Sequence, residues 1–589
     1  MTKITSLVLL CSITLLLSNC KKKEEKTILF SEITTQYFND KNALNPMDAT
    51  LNGQNQYNDQ LPLEMTEGYR NKQKAFFEKY ETALSQIDPA QLKEEEKISF
   101  EIIKWEVTIG KDLLKQPTHL TPIHQFSGTH LTMAQFAGGT SAQPFKTTKD
   151  YRNFLKRMET YAVWMDSAMV NMKKGITKGI VLPKTLTLKV IPQFDDMITE
   201  KAETNLFYST IKTMPASFSA EEKKELATQY ADVINEKLVP GFKKMSQFLK
   251  QEYLPASRST SGIGSFPFGK ALYATYVKQW TTTEKTPEEI HELGLKEVAR
   301  LNAEMEQVKN QVGFKGSIKA FFDEVRNKKE LKPFKKPEEV LANFQQIYNR
   351  IQPKVNRLFA LQPKTKFEIR RTEAFRENSA SAEYVQGTAD GSRPGIFYVP
   401  IPDVANYNFY ADEDLFLHEA IPGHHFQVSL QQENQELPDF RKFNWFGAYG
   451  EGWALYTESL GKELGLYQDP YQYFGMLSSE MHRAIRLVVD TGIHAKGWTR
   501  EQAIAYSLNN EAEGEASIIA EIERYMANPG QALAYKIGQL KIIELRKKSE
   551  TKMGKAFDIK KFHEKVLESG VMPLALLENK INAWIAEKN

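Results

Sequence analysis

Residues 417–425 read LHEAIPGHH, and this segment predicts both the local fold and the chemistry of the chain. The usual zinc-peptidase signature is His-Glu-x-x-His on a helix, where residues four apart share one face and both imidazoles reach one zinc ion. The glutamate beside the first histidine activates the water on the metal. Here His418 and Glu419 fit the first two positions, but Pro422 stands where the second histidine belongs. The motif is therefore a variant, and its second histidine has to be His424 or His425.

The Pro422-Gly423 pair bears on the choice between the two histidines. In a continuous helix His425 would share the face of His418 but lie about 10 Å further along the axis, an awkward spacing for two ligands of one ion. Pro422 offers no N–H to the helix and Gly423 adds backbone freedom, so a local bulge can shorten the distance. A bulge of two residues makes His424 the second ligand, and His425 stays open as the alternative.

Residues 449–458 read YGEGWALYTE and supply the candidate for the third ligand. A zinc site with an open coordination position normally has three protein ligands. Glu451 lies 27 residues beyond His424, between two glycines that let neighbouring backbone approach closely. Glu458 follows seven residues later, so both carboxylates can face one way on a helix. We predict that Glu451 binds the metal and that Glu458 orients one of the histidines.

The chain as a whole has a mainly α-helical pattern, with apolar residues at three- and four-residue spacing. A proline followed by two glutamates at 287–289 and at 337–339 indicates two helix starts. β-Branched and aromatic residues at 367–371 and 395–400 predict a small sheet just ahead of the metal motif. Residues 262–269, rich in glycine, serine and proline, are the expected hinge between an N-terminal and a C-terminal helical lobe.

The tetrahedral oxyanion formed in peptide hydrolysis needs a hydrogen-bond donor in addition to the metal. Tyr525, next to Arg524, is the first candidate, with a buried packing role as its alternative. His494 follows Asp490 by four residues, and on a helix this aspartate would fix the tautomer of the histidine. Two further tyrosines complete the set of candidates, Tyr506 and Tyr535.

A peptide substrate also needs groups that hold its ends and its backbone. Arg393 and Arg524 are candidates for binding a substrate carboxylate, with a structural ion pair as the alternative for each. The strand predicted at 395–400, which contains Tyr398, is expected to pair with the substrate backbone.

The first residues predict the destination of the chain. Lys3 precedes an apolar stretch at 7–17 that is too short for a comfortable membrane span but suits a secretory signal. This stretch ends in Leu17-Ser18-Asn19-Cys20, which resembles a bacterial lipobox. We predict a signal peptide at 1–19, a lipidated Cys20 and a tether at 20–45, with a signal peptide and a chance cysteine as the alternative. The expected location is the cell envelope, on the periplasmic or the outer-surface face, with the lipid bilayer as a partner through the acyl anchor.

Composition limits the remaining classes of function. The sequence has 589 residues, of which 41% are hydrophobic and 26% are charged, as in ordinary globular proteins. The formal net charge is +3 and the basic residues are spread among acidic ones, so nucleic acid is not an expected partner. The other cysteine, Cys11, lies within the predicted signal peptide, so no disulfide framework is expected. Residues 46–589 are the expected functional domain, and the pattern does not predict its oligomeric state.

The motifs together resemble the DUF885 family of bacterial lipoproteins, which is grouped with the Glu-zincin metallopeptidases. The resemblance rests on HEAIPGHH at 418–425, GEGWALY at 450–456, DGSRPG at 390–395, RLVVDTGIH at 486–494, and Arg524-Tyr525 with the PGQA that follows. It runs from about Pro46 to the C-terminus. More distantly, the order of the ligands is similar to that of the angiotensin-converting-enzyme and thimet-oligopeptidase types.

This resemblance implies an elongated, two-lobed helical shell around a deep cleft that admits short peptides. From the residues themselves we predict that His418, His424 and Glu451 hold Zn²⁺ with a water in the fourth position, and that Glu419 moves a proton from this water to the leaving amine. Two rival functions remain, a zinc hydrolase of another amide and a binding lipoprotein without turnover. An intact Glu419 argues against the second, because a binder has no need of a general base.

Overall fold

The computed structural model describes residues 29–373, 377, 380–387 and 393–588. The predicted signal peptide at 1–19, the lipidated Cys20 and the first part of the tether lie outside the described residues, as do residues 390–392 of the DGSRPG motif. None of the helices in the described part of the chain is both long enough and apolar enough to cross a bilayer.

Helices build most of the molecule. The helices of the first half are α1 (Phe30–Leu44), α2 (Pro46–Leu51), α3 (Glu67–Ser85), α4 (Glu94–Leu114), α5 (Thr129–Ala137), α6 (Thr148–Lys178), α7 (Lys184–Asp195), α8 (Ala220–Val233), α9 (Val239–Phe248), α10 (Leu254–Ala256) and α11 (Gly269–Thr281). Two π-helical turns, Ile234–Leu238 and Leu249–Tyr253, join α8, α9 and α10 end to end.

The second half continues in the same way and carries the metal motif. Its helices are α12 (Pro287–Gln311), α13 (Ile318–Asn327), α14 (Pro337–Leu358), α15 (Asp412–Glu419), α16 (His424–Glu433), α17 (Asp439–Lys442), α18 (Gly447–Ser459), α19 (Gly461–Leu464), α20 (Pro470–His494), α21 (Arg500–Asn510), α22 (Glu515–Ala527), α23 (Ala534–Met553), α24 (Ile559–Leu567) and α25 (Leu574–Lys588). The prediction of a mainly α-helical fold is confirmed.

Local signals explain where several helices begin. At α12 the Thr286 hydroxyl accepts the N–H of Glu289 at 3.2 Å, and the Glu289 carboxylate accepts the N–H of Thr286 at 2.8 Å. This reciprocal capping satisfies two backbone donors, while Pro287 occupies a position that needs none. α14 likewise begins at a proline, so both predicted helix starts are confirmed.

The sheet among the described residues has three strands, β1 (Phe367–Arg371), β2 (Glu383–Val385) and β3 (Gly395–Val399). The spatial order is β1-β3-β2, with β3 parallel to β1 and antiparallel to β2. The two predicted strands are confirmed, and β2 is an addition that the sequence pattern did not predict. Since β3 is central, the two outer strands are β1 and β2.

Two hydrophobic cores divide the interior. One extends along the chain from Met47 to Tyr253 and is rich in methionine and aromatic side chains. The other gathers residues from Ile263 to the C-terminal helix and also takes in buried residues of α1, α3 and α4. The boundary near residue 253 lies close to the segment predicted as a hinge, but the first helices of the chain pack with the C-terminal core.

The segment at 262–269 packs tightly where it meets α20. A Cβ on Gly262 would come within 2.0 Å of the Ile493 carbonyl oxygen, and one on Gly264 within 2.2 Å of the His494 carbonyl oxygen. Glycine at these positions therefore allows a backbone-to-backbone contact that any side chain would prevent. The contact fixes the C-terminal end of α20 against the start of the second core.

Candidate metal centre

The metal motif is divided between two helices. α15 ends at Glu419 and α16 begins at His424, with Ala420 and Gly423 in non-helical conformations between them. The prediction of a local bulge within one helix was therefore wrong, because the helix stops and a second one starts. A Cβ on Gly423 would lie within 1.9 Å of the His418 carbonyl oxygen, so this tight return of the chain requires glycine. Across the break, the Trp453 indole donates to the Pro422 carbonyl at 2.9 Å.

His418, His424 and Glu451 come together at this break. The Nε2 atoms of His418 and His424 lie 3.7 and 3.3 Å from Glu451 Oε2. Within the described residues these three side chains form the group of histidine, cysteine and acidic residues that could hold a metal ion, with donor atoms within 4.8 Å of one another. Ligands bonded to zinc at about 2.0–2.1 Å in a tetrahedron lie about 3.3–3.4 Å apart. The distances of the two imidazoles from Glu451, 3.7 and 3.3 Å, lie close to this value.

His425 turns away from this group. Its Nδ1 lies 3.1 Å from the Tyr384 hydroxyl and 3.4 Å from the Ser429 hydroxyl, and its ring centre lies 5.1 Å from that of Phe367. The side chain is buried between the sheet and α16, where burial lowers the pKa of His425 to about 4. Of the two histidines left open by the sequence, the structure brings His424 to the donor group.

Glu458 supports His418 from behind. Its Oε1 accepts a hydrogen bond from His418 Nδ1 at 2.7 Å, which leaves Nε2 of that ring directed at the donor group. Glu451 and Glu458 are two helical turns apart on α18, so one helix supplies both the ligand-type carboxylate and the supporting carboxylate. Such a carboxylate–histidine pair is the common way in which proteins fix the tautomer and orientation of a metal ligand.

Burial and mutual charge set the protonation of the group. Burial would raise the pKa of Glu451, but the neighbouring His424 and His418 hold it well below its usual range. Burial would lower the pKa of His418, but hydrogen bonds to Glu451 and Glu458 raise it well above the usual value. Glu419 is also buried, and burial raises the pKa of its carboxyl while the nearby His418 and His424 oppose the shift. Glu419 is therefore a carboxylate with enhanced proton affinity beside the donors.

The donor group opens into a cavity of about 720 Å³. The segment that contains β2 lines the cavity together with residues of α15, α16, α18, α20, α22 and the start of α23. The lining side chains are Ser381, Ala382, Glu383, Tyr384, Val385, Gln386, His418, Glu419, His424, Val428, Trp445, Glu451, His482, Arg483, Arg486, Glu513, Ser517, Glu521, Arg524 and Tyr535. The site thus borders a partly open cavity large enough for several residues of a peptide.

The strand predicted to pair with a substrate is not available for pairing. β3, with Tyr398, has β1 on one side and β2 on the other, so its backbone groups are already used. The correction follows from sheet order, which the strand pattern alone does not give. β2 is the strand that faces the cavity, and its outer edge is the one on which an extended peptide could add.

The tyrosines predicted as oxyanion donors occupy different places. Tyr525 is buried beneath the cavity wall, where its hydroxyl contacts Arg486 at 3.1 Å and donates to Glu521 at 2.7 Å. Tyr506 packs against Trp498 and does not line the cavity. Tyr535 does line it. Tyr525 is therefore a supporting residue, and Tyr535 is the member of the set in position to meet a substrate.

His494 lies outside the cavity, so its predicted catalytic role is not supported. Its Nδ1 accepts the N–H of Ile263 at 3.2 Å and its Nε2 donates to the Tyr525 carbonyl at 3.0 Å, which occupies both ring nitrogens. The expected pairing with Asp490 is wrong, because that carboxylate accepts hydrogen bonds from the Tyr273 hydroxyl and the Gly530 N–H. The two residues do lie four apart on one helix, but both side chains hydrogen-bond to other segments of the chain.

The two predicted arginines also separate. Arg524 lines the cavity, where it contacts Glu521 at 3.2 Å and Gln531 at 2.9 Å. Arg393 is exposed ahead of β3 and does not line the cavity. Its predicted role in holding a substrate carboxylate has no support from its position.

Sequence reasoning missed several lining residues. His482, Arg483 and Arg486 lie on one face of α20, and Trp445 stands beside His424 with 45% of its surface exposed. The sequence did contain a signal for them. Residues 482 and 486 are one helical turn apart, and Arg486 is the first residue of the RLVVDTGIH motif.

A family model described as a bacterial protein of unknown function (DUF885) matches residues 46–581. A crystal structure of a candidate lipoprotein from Colwellia psychrerythraea is 27% identical, with a TM-score of 0.87 over 95% of this chain and 99% of that one. The structure of a candidate lipoprotein of unknown function from Shewanella oneidensis is 21% identical, with a TM-score of 0.74 over 94% of this chain and 99% of that one, and shows the fold alone. No curated protein matches in sequence. The predicted kinship with Glu-zincin peptidases stays a prediction.

Proposed function

The chain belongs to the DUF885 family, and from this premise and the geometry of its site we propose that it is a zinc-dependent hydrolase of short peptides. The observation that carries the proposal is the convergence of His418, His424 and Glu451 within 4.8 Å of one another, next to a cavity that Glu419 also lines. A binding protein without turnover has no use for a buried carboxylate beside such donors.

The donor set suits zinc in number and in kind. Two imidazole nitrogens and one carboxylate leave a fourth position open, as in hydrolytic zinc sites. His418 has its second nitrogen held by Glu458 at 2.7 Å, which prepares the free nitrogen for a metal. When bound there, zinc supplies a Lewis acid that makes water more acidic and polarises the substrate carbonyl.

Glu419 is the proposed proton carrier. Its carboxylate removes a proton from the attacking water as the new C–O bond forms at the carbonyl carbon. The same carboxyl delivers that proton to the amine nitrogen as the C–N bond breaks, so the residue ends the cycle unchanged. Burial supports this role, because it raises the pKa of Glu419 towards the range in which a group both accepts and releases protons readily.

The cavity walls give the other groups that hydrolysis needs. The outer edge of β2 offers backbone groups to an extended peptide, which would lie along residues 381–386. Tyr535 lines the same volume and is the proposed donor to the developing oxyanion. These contacts favour an unfolded peptide over a folded protein, because the backbone must be free to pair with an edge strand.

The proposal is tested by metal analysis together with digestion of a peptide library by the purified chain. About one zinc per chain and cleavage of peptides would agree with it. Zinc without cleavage of any peptide, but with hydrolysis of another amide, would assign the site to a non-peptidase amidohydrolase. Zinc without any turnover would assign it to binding alone.

We propose in addition that the chain is lipid-anchored in the cell envelope. The Colwellia relative is a candidate lipoprotein, and the lipobox-like segment ending at Cys20 supports the same for this chain. Cys20→Ala should move the protein from the membrane fraction to the soluble envelope fraction and abolish labelling by a radioactive fatty acid. Unchanged membrane association in that variant would count against the anchor.

A further inference from the structure

One wall of the cavity that borders the donor group carries a set of basic side chains. His482, Arg483 and Arg486 lie on α20 and line the cavity, and Arg524 of α22 joins them. Because the guanidinium groups stay protonated at all accessible pH values, this wall presents fixed positive charge to whatever enters.

Arg486 is the best-fixed member of this wall. Its side chain is 6% exposed, its Nη2 donates to Glu521 at 2.8 Å, and its Nε donates to the Tyr525 hydroxyl at 3.1 Å. The guanidinium carbon lies 4.6 Å from the centre of the Tyr535 ring. Contacts on three sides thus hold the group in one orientation at the cavity wall.

Among the described residues, one nitrogen of this guanidinium has no hydrogen-bond partner. Arg486 Nη1 is buried without a hydrogen bond, although its other nitrogens are paired. A buried N–H of a charged group is rarely left unsatisfied, because the loss of hydration is then uncompensated. An acceptor from a bound ligand would supply what is missing.

The acidic groups on this wall are shared among several basic ones. Glu521 contacts Arg486 at 2.8 Å, Arg524 at 3.2 Å and His482 at 3.5 Å, so one carboxylate serves three bases. Glu511 pairs with His482 at 2.5 Å. Glu513 also lines the cavity, as does Glu383 of β2. Charge neutralisation here is incomplete while His482 is protonated, which favours an anion as ligand.

We infer that Arg486 binds the free carboxylate at the C-terminal end of a peptide substrate, so that the enzyme acts as a carboxypeptidase. The inference rests on the proposed function, since it places the scissile carbonyl at the donor group and the terminal carboxylate at this anchor. A planar guanidinium matches the two oxygens of a carboxylate. A peptide chain has one terminal carboxylate, so anchoring it selects bonds near the C-terminus. Water adds to the carbonyl carbon, the C–N bond breaks, and the C-terminal fragment leaves as a free amine.

The test compares two forms of one acetylated peptide, with a free C-terminal carboxylate and with a C-terminal amide. For the zinc-loaded wild-type enzyme we expect kcat/KM to be about 10- to 100-fold higher for the free acid, the range lost with a hydrogen bond to a charged group. Arg486→Lys keeps a charge but loses the planar fork, and should reduce the preference to below about threefold. Equal cleavage of both forms by the wild type would overturn the inference.

A binding measurement separates this inference from the proposed function. Calorimetric titration of Glu419→Gln with the same two peptides measures how much the free carboxylate adds to affinity, without requiring turnover. If no peptide is cleaved but the free acid still binds more tightly in an Arg486-dependent manner, the anchor stands and the proposed hydrolysis fails. If cleavage occurs at internal bonds beside Asp or Glu, with amidation having no effect, the hydrolysis stands and the terminal anchor fails.

Arg546→Lys is the matched control. This arginine also pairs with two carboxylates, those of Glu463 and Glu550, but lies outside the cavity. It should leave the preference for the free acid unchanged. Thermal unfolding and zinc content of both lysine variants identify a loss caused by misfolding, and Arg486→Met then repeats the measurement with an uncharged side chain of similar length. A preference that persists in a folded Arg486→Met would overturn the inference.

Discussion

Two buried arginines show how differently the two halves of the molecule use polar groups. In the core that extends from Met47 to Tyr253, Arg157 is fully buried and donates to the carbonyls of Gln60 at 2.9 Å and Pro46 at 3.1 Å, and to Thr50 at 2.7 Å. Its guanidinium nitrogens all have partners from the chain itself. Arg486, in the other half, is almost as deeply buried, but one of its nitrogens has no partner among the described residues and the side chain lines a cavity.

The comparison teaches that burial of a charged group does not by itself indicate function. Arg157 joins three segments of chain, and its environment is complete without a ligand. The group around His418, His424 and Glu451 differs from Arg157, because its donor atoms face one another and could hold an ion between them. A structural polar cluster thus has partners within the chain for its polar atoms. A functional one leaves donor or acceptor atoms available for a ligand.

The largest expected effect lies in the catalytic region. Glu419→Gln removes the proton carrier but keeps the shape of the side chain, so hydrolysis should fall by about 10²- to 10⁴-fold while zinc content stays at one per chain. The rate is measured with peptides identified in the library digest. Glu64→Gln is the control, because Glu64 is a carboxylate in the other core, bonded to Thr129 and Trp164. Near-normal turnover by Glu419→Gln would remove this residue from the mechanism.

Next in size is the effect of the two neighbouring histidines on metal content. His424→Ala removes a donor that lies 3.3 Å from Glu451, and should abolish the retention of zinc after dialysis. His425→Ala should leave close to one zinc per chain, because this ring contacts Tyr384 and Ser429 instead. Metal analysis of both variants decides the assignment, and the reverse pattern would exchange the roles of the two histidines.

A smaller effect is expected from the supporting carboxylate. Glu458→Gln weakens the hydrogen bond to His418 Nδ1 but removes no donor, so zinc affinity should fall by about 10- to 100-fold. Competition with a chelator of known affinity measures the change. Glu463→Gln, on the next helix and paired with Arg546, should leave the affinity as it is. A loss of zinc as complete as that expected of His424→Ala would make Glu458 a ligand.

The smallest effect on the site is expected from Arg157→Met. The substitution leaves several buried oxygens without their donor, so the free energy of unfolding should fall by about 2–4 kcal/mol. Urea denaturation measures this loss, while the zinc content of the folded protein should stay the same. A loss of zinc in the folded variant would show that the two regions are coupled, and the contrast drawn between them would not hold.

Much of the fold follows from signals that act over a few residues. The starts of α12 and α14 depend on a proline and on glutamates in the next turn, and strands β1 and β3 have a composition typical of strands. These features need no knowledge of the rest of the molecule. The break between α15 and α16 could be predicted only in part. Pro422 indicates that the helix is disturbed, but not how many residues leave the helical conformation.

The parts that could not be predicted depend on contacts between distant segments. The close approach of Gly423 to the His418 carbonyl and the bond from Trp453 to Pro422 set the geometry of the break. Along α20, His482 and His494 are twelve residues apart, which corresponds to about 18 Å and a rotation of about 120°. Both are plausible catalytic residues by type, and only the packing of the helix decides which of them meets the cavity.

The approach of α18 to α23 has a consequence for protein engineering. Replacing glycine by alanine within helices is a common route to greater thermostability, worth up to about 1 kcal/mol at an unconstrained position. Gly452 and Gly538 look like obvious targets, but an added Cβ would come within 2.4 Å of the opposite backbone at the first and within 1.8 Å at the second. Since α18 carries both Glu451 and Glu458, a variant chosen for heat resistance at either glycine would displace the two carboxylates together, and its cost would first be seen in metal affinity.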